Sequence, residues 1–300
     1  FGDRWCASQD ARVLTAGAMI TGLDHVLIVC PSIDDGENAY TALLGREPDW
    51  RSSDSGGSAT IIYQLENTAL EIMAPQGGGP LARRLHAMID GDGPGIKSLI
   101  FASDDLQDAR STFDRRGLKP DEIVEGESAN PYSGKTRSWS RMRLDEQATH
   151  GVRIFTLQRR PQDPLVYRPL KPDAVSGLDH VVINTPNPDR AAALYGARMG
   201  LRLALDRSNP DWDMRLMFFR VGQLTIELAH RLSAGVSTAP DKLWGLSWRV
   251  PDIDASHARL QSANFAVTSI RAGRRAGTKV FTVRDGTVGV PTLVLSAEPA

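Results

Sequence analysis

The pentapeptide Gly-Leu-Asp-His-Val occurs twice, at 22–26 and at 177–181, and each copy opens an apolar run. Each is followed, at nearly the same distance, by a carboxylate inside a second apolar run: Ala69-Leu70-Glu71-Ile72-Met73 in the first and Thr225-Ile226-Glu227-Leu228-Ala229 in the second. Glu71 lies 46 residues after His25, and Glu227 lies 47 after His180. A glutamate flanked by Ile, Leu and Met in a strand is expensive to bury unpaired. It must be paired, protonated, bound to a metal ion or directed into a wet cavity. Two His–Glu pairs at matched spacing therefore describe a duplicated unit that can hold an ion.

Each half of the chain repeats again internally. In the first, a strand over 22–29 precedes a helix from Asp34-Asp35 to Leu44, ended by Gly45, and strands follow near 57–65 and 68–74. A Gly-rich hinge and a short helix near 81–89 lead to a restart: strand 96–102, a helix opened by Asp104-Asp105 and ended near Gly117, and strands near 136–144 and 151–158. The second half reads the same way, with strand 178–184, a helix from Asn187 to Met199, strands near 214–221 and 223–230, strand 246–250, a helix from Asp252 to Ala263, and strands near 278–284 and 290–296. The expected fold class is α+β: four tandem βαβββ modules forming two curled mixed sheets, or cups, with helices on the outside. The expected divisions are an extension over 1–19 without order, a first domain over 20–160 (modules 20–76 and 94–160), a Pro-rich linker over 161–174, and a second domain over 175–298 (modules 175–232 and 243–298).

Composition excludes several classes of function. A net charge of −1 over 300 residues gives no electrostatic basis for binding nucleic acid. No apolar stretch reaches the roughly 18 residues that cross a membrane, and the first residues lack the pattern of a secretory signal. The two cysteines are too few for a disulfide framework. Cys30 ends an apolar run and reads as a buried free thiol, which points to a reducing, cytoplasmic setting. Four modules can close two cups within one chain, so the expected state is monomer or homodimer, with a small molecule as the partner.

The Gly-Leu-Asp-His-Val openings, the internal carboxylates and the Asp-capped, Gly-ended helices resemble the vicinal oxygen chelate superfamily, also called the glyoxalase, bleomycin-resistance and dioxygenase superfamily. Arg137-Ser138-Trp139-Ser140-Arg141 with Gly151-Val152-Arg153-Ile154-Phe155, and Gly289-Val290-Pro291-Thr292-Leu293, add to the likeness. The resemblance covers nearly all of 20–298. It implies paired modules curled into cups, with metal ligands on the first and last strands of each module. The odd modules supply His25, Glu71, His180 and Glu227, while Ser98 and Trp248 stand at the matching first-strand positions of the even modules. The even modules' last strands hold no carboxylate, and Gln158 is the only substitute.

A catalytic divalent ion usually takes three or more protein ligands. Modules pairing in chain order give each cup one His and one Glu; modules one and three facing each other would give a set suited to Zn, Ni, Co, Mn or Fe. Neighbouring units usually pair, which favours chain order. Trp139, Arg141, Phe218, Arg220 and Trp248 are candidate pocket residues, with Trp248 placed to plug the second cup; core packing and a solvated strand face are the plain alternatives. The other histidines (His86, His150, His230, His257) read as structural or solvated. The resemblance implies a metal-dependent lyase or isomerase in which Glu71 or Glu227 is a catalytic base or ligand. The alternative is a metal-free protein that sequesters a small molecule. A ring-cleaving dioxygenase is disfavoured, because Trp248 and the missing late carboxylate remove two of its three ligands.

Overall fold

The computed structural model describes residues 19–160, 165–169 and 171–296. The expected extension, Met19 apart, lies outside these residues, as do Cys6 and positions 161–164 and 170 of the expected linker. In the first half the elements run β1 (Gly22–Val29), α1 (Ile33–Leu44), β2 (Trp50–Asp54), β3 (Ser58–Gln64) and β4 (Ala69–Pro75), then α2 (Pro80–Asp92), then β5 (Gly95–Ala102), α3 (Leu106–Arg115), β6 (Val124–Ala129), β7 (Thr136–Arg143) and β8 (Ile154–Arg159). The second half repeats them as β9 (Gly177–Asn184), α4 (Pro188–Ala192), β10 (Arg202–Asn209), β11 (Met214–Val221), β12 (Leu224–Arg231), β13 (Lys242–Val250), α5 (Ile253–Ser262), β14 (Arg271–Ala272), β15 (Lys279–Val283) and β16 (Thr292–Ser296).

Two eight-stranded mixed sheets result. Their orders are β2-β3-β4-β1-β5-β8-β7-β6 and β10-β11-β12-β9-β13-β16-β15-β14, so the topology is the same and modules pair in chain order. Within a module the first and last strands are parallel, and the two modules of a sheet join through an antiparallel seam, β1 on β5 and β9 on β13. Sequence patterning located every strand except β2, β6, β10 and β14. These lie at the sheet edges, and most of their residues are exposed or half-buried, so they lack the apolar alternation that marks a strand.

The helices form where apolar spacing and a cap coincide. Asp105 and Asp252 accept hydrogen bonds from Asp108 N and Ala255 N at 2.9 Å, capping α3 and α5 as expected. For α1 the cap is Ser32, not Asp34-Asp35; those two carboxylates sit in the first turn, where negative charge complements the helix dipole. The helix expected to reach Met199 continues after α4 as a π-helical turn, Ala193–Arg198, whose wider winding buries both Leu194 and Tyr195. In α3, Leu106, Ala109 and Phe113 bury on one face. Full burial of a side chain the size of Leu or Phe contributes about 2 kcal/mol.

One continuous apolar core spans both halves. It gathers Tyr40, Leu43, Phe113, Leu194, Tyr195 and Leu260 from the helices with one face of each sheet, including Val26, Ile72, Val181 and Ile226. Two arginines lock the halves together through helix carbonyls. Arg259 of α5 donates to Ala42 O and to Leu43 O (3.0 Å), at the end of α1. Arg198 donates to Arg116 O (3.0 Å), Gly117 O (2.5 Å) and Ala148 O (2.9 Å), near the end of α3. A guanidinium suits this role because its donors are fixed in a plane and carry positive charge to the negative end of a helix. Arg259→Met keeps the stem but removes the donors. Expected: chemical unfolding shows a loss of about 2 kcal/mol, partly restored in Arg259→Lys, whereas equal unfolding midpoints would deny the clamp its role.

Candidate functional site

Core packing on the outer face of each sheet determines what points inward. Val26, Ile28, Leu70 and Ile72 belong to the core, so His25 and Glu71 face the concave side. His25 is registered with Ala69, and Glu71 with Leu27, making the pair diagonal neighbours on parallel strands. His25 Nε2 lies 3.0 Å from Glu71 Oε2. In the second sheet the register is identical, His180 opposite Thr225 and Glu227 opposite Val182, and His180 Nε2 lies 3.1 Å from Glu227 Oε2. The preceding aspartates complete both clusters: Asp24 Oδ1 is 2.6 Å from His25 Nδ1, and Asp179 Oδ1 is 2.7 Å from His180 Nδ1. Each imidazole is therefore held between two carboxylates. The same Asp precedes the His in both copies of the repeated pentapeptide, and it is its carboxylate that meets the imidazole.

The first cup is filled. Its edge strands β2 and β6 meet, where Trp50 Nε1 donates to Ser128 Oγ at 3.0 Å. Arg137, 3 % exposed, stacks on the Trp50 ring at 5.3 Å. Trp50, Ile62 and Ala69 form a small apolar cluster capped by Leu165 of the inter-half segment. Asp24 is held further by Arg159, whose Nε lies 2.6 Å from Asp24 Oδ2. Burial opposes the charge on His25, but the Glu71 carboxylate and the Asp24 hydrogen bond outweigh it and raise the imidazole above its usual 6.5. Burial likewise opposes ionisation of Glu71, and the charge and hydrogen bond of His25, with Arg137 and Arg159 beyond, hold it below 4.5.

The second cup is open. It encloses a cavity of about 2240 Å³. Its floor carries Asp179, His180, Glu227 and Ser247, whose Oγ lies 2.7 Å from His180 Nε2. Val182, Leu216 and Ala229, with Met214 and Phe218, make an apolar wall, and Phe218 meets the His180 ring edge-on at 6.4 Å. Arg220 is exposed on the same strand, and Trp244, 50 % exposed, stands on β13.

Of the expected pocket residues, Phe218 and Arg220 line this cavity. Arg141 stacks on Phe155 in the first cup at 5.4 Å and lies near enough to Glu71 to feel its charge, and Trp139 lays its ring over Gly126. Trp248 does not plug the second cup. It is 1 % exposed in the shared core, and alternation along β13 turns Ser247 and Arg249 into the cavity instead. His230 and His257 bond to backbone carbonyls of Thr185 and Thr268 and serve packing.

These residues fall short of a metal shell. Across β9, β13 and β16 the registered inward positions are His180, Ser247 and Leu293, so His180 and Glu227 gain no third anionic or imidazole donor. Among the described residues no group of three or more His, Cys, Asp or Glu is arranged to hold an ion, and the four-residue set that modules one and three might share does not assemble.

The first-cup pair leaves a signature in stability. His25, raised in the fold, contributes stability that is complete below pH 6.5 and is lost as pH climbs through its folded value; Glu71, lowered, contributes stability that is complete above pH 4.5 and fades as pH falls through its own. Expected: the thermal midpoint of the native chain declines on the alkaline side of about pH 6.5, and His25→Gln flattens that limb. Parallel pH profiles for the two proteins would remove the pair from the account.

Comparison with known proteins agrees with this architecture. A sequence profile described as "Glyoxalase-like domain" matches residues 23–200, and one described as "Glyoxalase/Bleomycin resistance protein/Dioxygenase superfamily" matches residues 179–282. No curated protein sequence matches the chain. Among solved structures, a variant of 4-hydroxymandelate synthase from Streptomyces coelicolor is similar at 15 % identity and a TM-score of 0.64, covering 94 % of both chains. The Mn(II)-bound glyoxalase from Novosphingobium aromaticivorans aligns at 12 % identity and 0.62, over 93 % of this chain and 82 % of that one. BphC, a halotolerant catechol dioxygenase, aligns at 14 % identity and 0.59, over 94 % and 88 %. These likenesses concern the fold. With one profile spanning more than half of its length, the chain belongs to the glyoxalase-like family of the vicinal oxygen chelate superfamily.

Proposed function

We propose that this chain binds a small oxygenated molecule in the open cup of its second half, without a resident divalent ion. The carrying observation is the floor of that cup. His180 has both ring nitrogens engaged, and the next inward groups are a serine and a leucine. A structural or catalytic ion generally needs more than one imidazole and one carboxylate from the protein. The groups present suit direct recognition instead: Glu227 can accept a hydroxyl hydrogen, Ser247 can donate or accept, and Phe218 with Leu216 receives an apolar body. The first cup, filled by Trp50, Arg137 and Leu165, is then structural.

A metal-dependent lyase or isomerase is the second reading, and one observation favours it. The carboxylate on His180 Nδ1 is the kind of outer partner that orients a metal-binding imidazole. In that case His180 and Glu227 would hold the ion, which would supply Lewis-acid activation of the substrate's oxygens. Elemental analysis separates the two. Expected: protein purified without chelator, and protein dialysed against Mn, Fe, Co, Ni or Zn, carries substoichiometric metal, and His180→Ala changes nothing. A stoichiometric ion that His180→Ala removes would establish the second reading and end the first.

A further inference from the structure

The whole chain carries a net charge of −1, yet the wall of the second cup is strongly cationic. Eight arginines and Lys242 line the cavity against three carboxylates, Asp179, Glu227 and Asp285. All three carboxylates have partners: the first two bond to His180, and Asp285 accepts from Ala266 N at 2.8 Å. Elsewhere arginines are mostly matched to carboxylates, as in Arg51 with Glu37, Arg110 with Glu122, Arg190 with Asp241 and Arg215 with Asp206. In the cup the guanidinium groups of Arg220, Arg271 and Arg284 make no hydrogen bond or ion pair among the described residues.

Two more arginines are positioned without being neutralised. Arg207 of β10 and Arg274, just beyond β14, stack on the ring of Trp212 at 5.4 and 4.5 Å, from the two edges of the curled sheet. Stacking on a ring face fixes a guanidinium while leaving its in-plane donors free. The Nε of Arg249, at the floor, is buried and has no hydrogen-bond partner among the described residues. Like charges gathered around a partly enclosed space repel one another and focus a positive potential into it. A fork of guanidinium donors matches a carboxylate or phosphate better than it matches water.

From this we infer that the cup takes an organic anion: a carboxylate or phosphate group held by the arginines of the wall, joined to an aromatic or long apolar body lying on Phe218, Leu216 and Trp244. The inference deepens the proposed function and rests on its reading of the second cup as a binding site. At about 2240 Å³ the cavity exceeds the roughly 300–1,000 Å³ of an ordinary small-molecule site, so the ligand is large or enters with ordered water. Arg274 and Arg275, adjacent in the sequence, both line the cavity.

The probe is 8-anilinonaphthalene-1-sulfonate, an anionic aromatic, compared by calorimetry and fluorescence with the neutral N-phenyl-1-naphthylamine on the full chain. Expected: one anionic probe binds per chain, more tightly than the neutral one. Its affinity falls as salt rises, and Arg220→Gln or Arg271→Gln weakens it about tenfold, the scale of one lost charge-assisted contact. Arg110→Gln, in the other half, leaves binding unchanged, and melting curves of all variants coincide. Phenyl phosphate and phenylacetate then compete for the site, and whichever displaces the probe identifies the anionic group; displacement by neither overturns the inference. Equal binding of both probes, indifferent to the arginine variants, overturns the anion while leaving a binding cup. Binding of neither overturns the inference and the cup together.

Discussion

Val26, Ile28, Leu70 and Ile72 are buried beneath the helices, and successive strand residues point to opposite faces, so His25 and Glu71 can only enter the cup. The same packing by Val181, Ile183, Ile226 and Leu228 directs His180 and Glu227. A register slip by one residue in either strand would drive a carboxylate or an imidazole into the shared core and expose the aliphatic side chains in its place. The desolvation penalty of that exchange exceeds anything a different local pairing could return. The polar pairs are therefore consequences of how the outer faces pack, and the core across both halves protects both pairs at once.

From that common framework the two halves diverge through their edge strands. In the first, Trp50 and Arg137 close the space where β2 meets β6, Leu165 covers it, and Arg159 binds Asp24. The Asp24–His25–Glu71 cluster then forms an internal ionic network with Arg159. In the second half β10 stays exposed along nearly its whole length. Trp212 lies between two arginines instead of plugging the cup, and Asp179 feels Arg249 and Arg275 only through space. Identical floor residues consequently face a packed interior in one case and a large cavity in the other. Which half is open is decided at the rims, by residues that carry no repeat signal.

That distinction explains what the chain discloses as a sequence. The inner strands, the helices and the His–Glu pairs are legible because they depend on apolar periodicity and on a duplicated motif: the Glu71 and Glu227 runs alternate cleanly with core residues. The edge strands are not legible, since Val124-Glu125-Gly126-Glu127 has no buried face to impose a pattern. Trp248 was misplaced for a different reason. Counting from Gly95 and Gly245 aligns it with a ligand position, but β13 begins at Lys242, three residues before Gly245, and that odd offset places Trp248 on the core face. The arginine wall escapes sequence reading altogether, because Arg207, Arg220, Arg249, Arg271 and Arg284 are dispersed over 78 positions and meet only when the sheet curls.

The positive charge of the second cup also bears on why its metal shell is incomplete. A divalent ion at a cup floor places two charges at one point and draws oxygen ligands to it. On the reading proposed above, Ser247 and Leu293 leave that point without enough donors, and the charge instead stands on guanidinium groups around the wall. Stacking on Trp212 holds Arg207 and Arg274, so for those two little ordering remains to be done when a ligand arrives. They hold an anion at its periphery and leave its apolar body against Phe218. Glu227, bound to His180 and facing the same space, would repel an anionic group brought to the floor. On the reading proposed above, the arginines of the wall outnumber Arg249 at the floor and favour a ligand whose anionic group lies outward, with its uncharged end at the histidine.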